Sequence, residues 1–107
     1  MPTKKNEPFK SLVIKGKYED FTDFYDINKK DIYQAIFDVF KEFKKTRKRK
    51  LSLTVAAKIQ DFDWDTTFNF HKEEAIVLKR DLMPFFEEIE DYETCGEICE
   101  LYKQLTL

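Results

Sequence analysis

The sequence predicts an α+β fold: a small antiparallel sheet of about three strands, in the order β-α-β-β-α-α, packed against helices on one face. Three observations carry this. Residues 29–45 repeat apolar side chains at helical spacing, and residues 51–60 alternate strictly between apolar and polar. Only two glycines and three prolines interrupt 107 residues, which favours long regular elements. The length suits one domain, expected over residues 8–107 behind a flexible N-terminal tail at residues 1–7.

The first strand is expected within residues 8–18, centred on Leu12, Val13 and Ile14. Residues 19–27 read as a polar and aromatic connection. Asn28 then stands as a helix N-cap, with Asp31 three residues on as an imperfect capping box. The following helix places Ile32, Tyr33, Ile36, Phe37, Val39, Phe40 and Phe43 on one side, and Lys41, Lys44 and Lys45 near its C-terminus, where the helix dipole favours cations.

The second strand points Leu51, Leu53, Val55, Ala57 and Ile59 one way, and Ser52, Thr54, Ala56, Lys58 and Gln60 the other. "DFDWD" at 61–65 makes a turn. A third strand follows, with Trp64, Thr66, Phe68 and Phe70 on one side. His71 sits at an N-cap position with Glu74 behind it. Ala75, Leu78, Leu82, Phe85, Ile89 and Tyr92 then form a helical stripe that Pro84 interrupts. A single kinked helix is the preferred reading. A strand over 75–80, followed by a new helix capped by Asp81, is the other. A last short helix over 94–105 uses Ile98, Leu101, Tyr102 and Leu105.

With 42% apolar and 16% aromatic residues, including eleven Phe, the core is expected to be built on rings. No apolar run approaches the roughly 20 residues of a membrane span, and none at the N-terminus resembles a secretion signal. Cys95 and Cys99 lie four apart on a helical segment, where a disulfide would be strained. Reduced thiols in a cytoplasm are therefore expected.

The net charge is only −2, but it is unevenly spread. Residues 1–60 carry 15 Lys and Arg against 8 Asp and Glu, whereas residues 61–100 carry 3 against 13. If folding keeps these apart, the molecule has a basic and an acidic pole, able to steer charged partners.

Little in the chain points to catalysis. His71 is the only histidine, and no nucleophile motif accompanies it. Two glycines allow neither a P-loop nor a dinucleotide fingerprint. Asp61, Asp63 and Asp65 alternate like the start of a calcium loop. That loop wants Gly at its sixth position and Glu at its twelfth, where Thr66 and Lys72 stand. Cys95 and Cys99 with His71 fall short of the four ligands of a structural zinc site. No cofactor, no resident metal and no enzymatic activity are expected.

The basic run Lys44, Lys45, Arg47, Lys48, Arg49 and Lys50 has one acid close in sequence, Glu42. As a compact patch it could contact several phosphates, with Lys58 extending it over the sheet. Two features count against a dedicated nucleic-acid binder. The polar side of the second strand has no aromatic residue for base stacking, and the pI is about 5.5. The opposite surface is a second candidate: Glu87, Glu88, Glu90, Asp91 and Glu93, interleaved with Tyr92 and Tyr102, would suit docking on a basic protein. The expected function is thus a small, non-enzymatic binding or regulatory protein that contacts nucleic acid or a nucleoprotein complex. The alternatives are a protein-binding inhibitor of immunity or phage-factor type, and a metal-dependent enzyme using the acidic turn. Complementary poles would also allow a homodimer.

Overall fold

A computed structural model of the protein describes residues 8–107; the segment expected as a tail, 1–7, lies outside the described residues. The expected α+β class holds. β1 (Lys10–Val13) leads into α1 (Phe21–Lys45), which returns the chain to β2 (Lys50–Ile59) and β3 (Phe62–His71). A 3₁₀ turn at Lys72–Glu74 opens the helical remainder. A π turn at Leu78–Leu82 runs into α2 (Met83–Glu88), and α3 (Tyr92–Thr106) closes the fold.

The sheet has the order β1-β2-β3, and its pairing corrects one expectation. β2 and β3 are antiparallel, but β1 lies parallel to β2, with Leu12 opposite Val55. The sheet is therefore mixed. The cause is the intervening helix: a strand, a long helix and a strand form a crossover, which brings the second strand back in the direction of the first. The antiparallel expectation holds for the hairpin alone.

α1 also begins earlier than Asn28. Its cap is Asp20, whose carboxylate accepts the Asp23 N–H at 2.8 Å. Phe21, Phe24 and Tyr25 stand at the i, i+3, i+4 spacing of a helix face, and Phe24 is fully buried against Tyr18 and Trp64. Residues 21–27, expected as a connection, form the first two turns of the helix. Asn28 marks a kink instead, with φ −106° and ψ 16°, and its buried side-chain amide donates to the Phe24 carbonyl at 3.0 Å.

The hairpin turn is Gln60–Asp61, both at positive φ (52° and 69°), so β3 starts at Phe62 and not beyond Asp65. Two left-handed residues match the twist of the flanking strands. Gln-Asp is a weak sequence signal for that turn, which is why the sequence suggests a longer one.

Pro84 sits in the first turn of α2 and cannot donate a backbone hydrogen bond. The helix adapts by widening just before it: the Met83 N–H reaches the Leu78 carbonyl five residues back. Residues 76–88 are consequently helical throughout apart from this π turn, and no strand forms at 75–80. The extra residue turns the stripe. Leu78, Leu82 and Phe86 are buried, whereas Phe85 is half-buried and Ile89 and Tyr92 are exposed.

The core lies between the sheet and α1. Leu51, Leu53, Val55 and Ala57 share it with Phe40 and Phe43, and α3 packs on the flank of α1 that carries Phe37, through Ile98 and Leu101. Edge-on ring pairs, such as Phe40 with Phe70 at 5.7 Å, hold this layer at aromatic contact geometry. The other face of the sheet is uncovered and polar. Ser52 Oγ donates to Asn69 Oδ1 at 2.6 Å, and the Thr54 and Thr67 hydroxyls lie 2.8 Å apart.

Candidate nucleic-acid interface

The basic run occupies one corner of the molecule, where α1 ends and β2 begins. The helix stops because Thr46 takes an extended conformation while its N–H and its hydroxyl both reach the Glu42 carbonyl at 3.1 Å. Lys44 and Lys45 fill the last turn, next to the free carbonyls that favour positive charge. Arg47, Lys48 and Arg49 cross to the sheet, and Lys50 starts β2. All six cations are exposed. The corner is tied to the end of β3, where the Lys72 N–H donates to the Arg49 carbonyl at 2.9 Å, so Lys72 joins the cluster.

Among the described residues, only Arg49 of the six has a carboxylate within 4 Å: its guanidinium bonds Glu73 at 2.9 Å. That hydrogen bond holds the Glu73 carboxyl below its ordinary range. Lys58 does not belong to the patch. It lies eight residues along β2, about 26 Å away at the rise of a strand, and pairs with Asp63 at 3.3 Å. Lys10 likewise turns to the helix side and meets Asp38 at 3.5 Å.

The poles are not cleanly separated. A groove of about 670 Å³ runs between α1 and α3 beside the basic corner. Phe37, Lys41, Lys44 and Lys45 line one side, and Glu97, Glu100, Leu101 and Gln104 line the other. Cations and carboxylates thus share its walls. Helical spacing already placed Lys41 near Lys44 and Lys45, where it pairs with Asp38 at 3.4 Å; sequence reasoning missed Lys72, which lies outside the run and is brought beside Arg49 by the sheet.

The acidic candidates are more scattered. Glu87 and Glu88 end α2, and Glu90 takes a positive φ of 62° in the link to α3. Asp91 caps α3: its carboxylate accepts the Thr94 hydroxyl at 2.7 Å and the Thr94 N–H at 3.2 Å, which lowers its pKa. Tyr92 and Glu93 are exposed in the first turn. Tyr102, ten residues on, is half-buried with the Lys79 ammonium 5.6 Å from its ring centre, and stands apart from the others.

The acidic turn is divided as well. Asp61 pairs with Lys17 at 2.9 Å and Asp63 with Lys58, and no cluster of three His, Cys, Asp or Glu able to hold a metal exists among the described residues. His71 does stand at an N-cap position, and its N–H donates to Glu74 at 2.8 Å. Cys95 and Cys99 are free and half-buried, and burial raises the Cys95 thiol pKa. No helix among the described residues is long and apolar enough to cross a membrane.

The fold and this corner define a small α+β domain that presents a cationic surface at one end of a mixed three-stranded sheet. No family model, no curated protein and no solved structure matches the chain.

Proposed function

We propose that this is a small, non-enzymatic binding domain that contacts the phosphate backbone of nucleic acid, alone or within a nucleoprotein complex. The observation that carries the reading is local. Lys44, Lys45, Arg47, Lys48 and Lys50 are exposed on one corner with no carboxylate within 4 Å among the described residues. Such cations displace counterions from phosphates, so affinity should fall steeply as salt rises. The uncovered sheet face carries hydroxyls, amides and, toward the hairpin, Lys58 with the Asp63 and Asp65 carboxylates, but no aromatic ladder, which favours backbone contact at the corner over base stacking on the face. Under this reading the protein works in the cytoplasm, which its two unpaired, half-buried thiols suit.

The test is retention on DNA and RNA across a salt series. The Lys45→Glu, Lys48→Glu, Lys50→Glu triple variant should lose binding while keeping its circular dichroism. An unchanged, salt-sensitive affinity in that variant would overturn the proposal.

A second reading rests on Ile89 and Tyr92. Both are exposed between Glu87, Glu88, Glu90 and Glu93, giving apolar contacts inside an acidic rim. That is the composition of a surface for docking a basic protein. Capture of a partner that survives nuclease treatment and is lost on neutralising Glu87, Glu88 and Glu90 would favour it over the first.

A further inference from the structure

The two edges of the sheet differ. β1 is four residues long, and Lys10, Lys15 and Lys17 lie on or beside it. Short strands and lysines are the usual protection of an edge. β3 is ten residues long, contains no Lys, Pro or Gly, and pairs with β2 in an unbroken register without a bulge. Among the described residues no strand pairs with its outer edge, and only its last outward N–H, that of His71, is taken, by the Glu74 carboxylate.

The register shows which groups that edge offers. The Lys72 N–H bonds the Arg49 carbonyl, so the 49–72 pair is a hydrogen-bonded one, and such pairs recur at every second residue toward the turn. The even-numbered residues of β3 therefore bond β2. Asp63, Asp65, Thr67 and Asn69 aim their N–H and C=O groups outward. Beside this edge, on the helix side, α1 leaves an apolar groove of about 250 Å³ lined by Phe21, Tyr25, Trp64 and Phe68. Phe21 and Phe68 are both more than 40% exposed there, and Phe62 at the start of the strand is 74% exposed.

We infer that β3 pairs antiparallel with β3 of a second copy of this chain, forming a two-fold dimer with a continuous six-stranded sheet. Among dyads at residues 64 to 67, one keeps the carboxylates neither opposed nor diagonal. Outward groups must meet outward groups, so odd-numbered residues face odd-numbered residues. A dyad at Asp65 sets Asp65 against itself, and one at Trp64 sets Asp63 against Asp65. Like charges directly opposite disfavour both. A dyad at Thr66 leaves the two Asp65 side chains diagonal to each other. A dyad at Thr67 places Asp63 opposite His71 of the partner subunit and Asp65 opposite Asn69 of the partner subunit. It pairs Thr67 with its own copy. On the helix side it sets Trp64 against Phe70 of the partner subunit, and Thr66 against Phe68 of the partner subunit, next to the apolar groove. A two-fold contact of this kind closes on itself and leaves neither β3 edge open.

The experiment uses the full chain. Sedimentation velocity over a concentration series should show a monomer–dimer equilibrium. Hydrogen exchange at high against low concentration should slow the amides of Asp63, Asp65, Thr67 and Asn69 selectively. Thr67→Pro removes an outward backbone donor and no backbone bond to β2, at the cost of the exposed hydroxyl contact with Thr54, so it should shift the protein to monomer with its circular dichroism retained. Should that variant fail to fold, Asn69 decides the register. Asn69→Asp places like charges opposite and should weaken the dimer, whereas Asn69→Lys faces Asp65 of the partner subunit and should tighten it. A monomer at every soluble concentration overturns the inference. So does exchange of these four amides that stays fast in the pure protein and slows only when another protein is added. A dimer that Thr67→Pro leaves intact, or equal affinities for the two Asn69 variants, overturns it too.

Discussion

The guanidinium of Arg49 lies 2.9 Å from the carboxylate of Glu73, and this pair divides the basic corner into one engaged cation and five with no carboxylate within 4 Å among the described residues. The division makes the binding surface testable residue by residue. Single reversals of Lys45, Lys48 or Lys50 to Glu should each weaken nucleic-acid binding. Each should also flatten the dependence of log K on log salt by roughly 0.7–0.9 for every phosphate left without its cation. Lys58→Glu, far along β2, should leave both unchanged. Filter binding across a salt series measures this.

The aromatic layer should dominate stability. Phe43 and Phe86 are wholly buried, one under the sheet and one at the joint of the helices. Replacing either by Ala removes a ring and leaves a cavity, at a cost of about 3–5 kcal/mol. Urea unfolding should show the loss for both, with folding of the double variant failing outright.

The start of α1 rests on Asp20, so Asp20→Ala should destabilise the protein by about 1 kcal/mol. The same experiment distinguishes the observed helix from one beginning at Asn28, for which Asp20 would be an indifferent loop residue. Thermal unfolding monitored at a helical wavelength reads the difference.

Two carboxylates set an acid dependence. Hydrogen bonds from Arg49 to Glu73 and from Thr94 to Asp91 lower both pKa values in the folded state. A lowered carboxyl binds its proton less readily when folded than when unfolded. The stability it supplies is therefore present above the unfolded values, about 3.9 for Asp and 4.3 for Glu, and is lost as pH falls through the folded ones. Thr94→Val should flatten the acid limb of a plot of Tm against pH. The effect is small, because both groups face solvent.

At the alkaline end the sign reverses. The Tyr25 and Tyr33 hydroxyls lie 2.8 Å apart, and burial first, then this hydrogen bond, raises the Tyr25 pKa well above its ordinary value. The folded state keeps a proton that the unfolded chain gives up near 10. Stability should therefore fall as pH rises beyond that point. In an ultraviolet titration, one tyrosine should ionise late, and Tyr25→Phe should abolish that late step.

The candidate site was partly legible in the chain. The run from Lys44 to Lys50 is contiguous, and contiguous charge at the junction of two elements stays together when they fold. Lys58 stands apart from the corner, because alternation gives the face of a strand but not the distance along it. Lys72 was missed for the opposite reason: it joins the corner through a cross-strand bond. The acidic cluster is split by its own local chemistry, since Asp91 is spent on a cap and Tyr102 is packed beneath Lys79.

Period and composition alone determined the α+β class, the inward face of β2 and the apolar stripe of α1, because these follow from where each side chain sits on its own element. Tertiary structure decided the rest. The parallel pairing of β1, the early start of α1 at Phe21 and the burial of Phe86 in place of Phe85 all depend on what each segment meets. A crossover fixes strand direction, the aromatic cluster around Trp64 draws residues 21–25 into helix, and the π turn before Pro84 rotates the buried face. Local cues contribute, Asp20 as a cap and Pro84 as a missing donor, but which outcome they produce is set by contacts between residues distant in the chain.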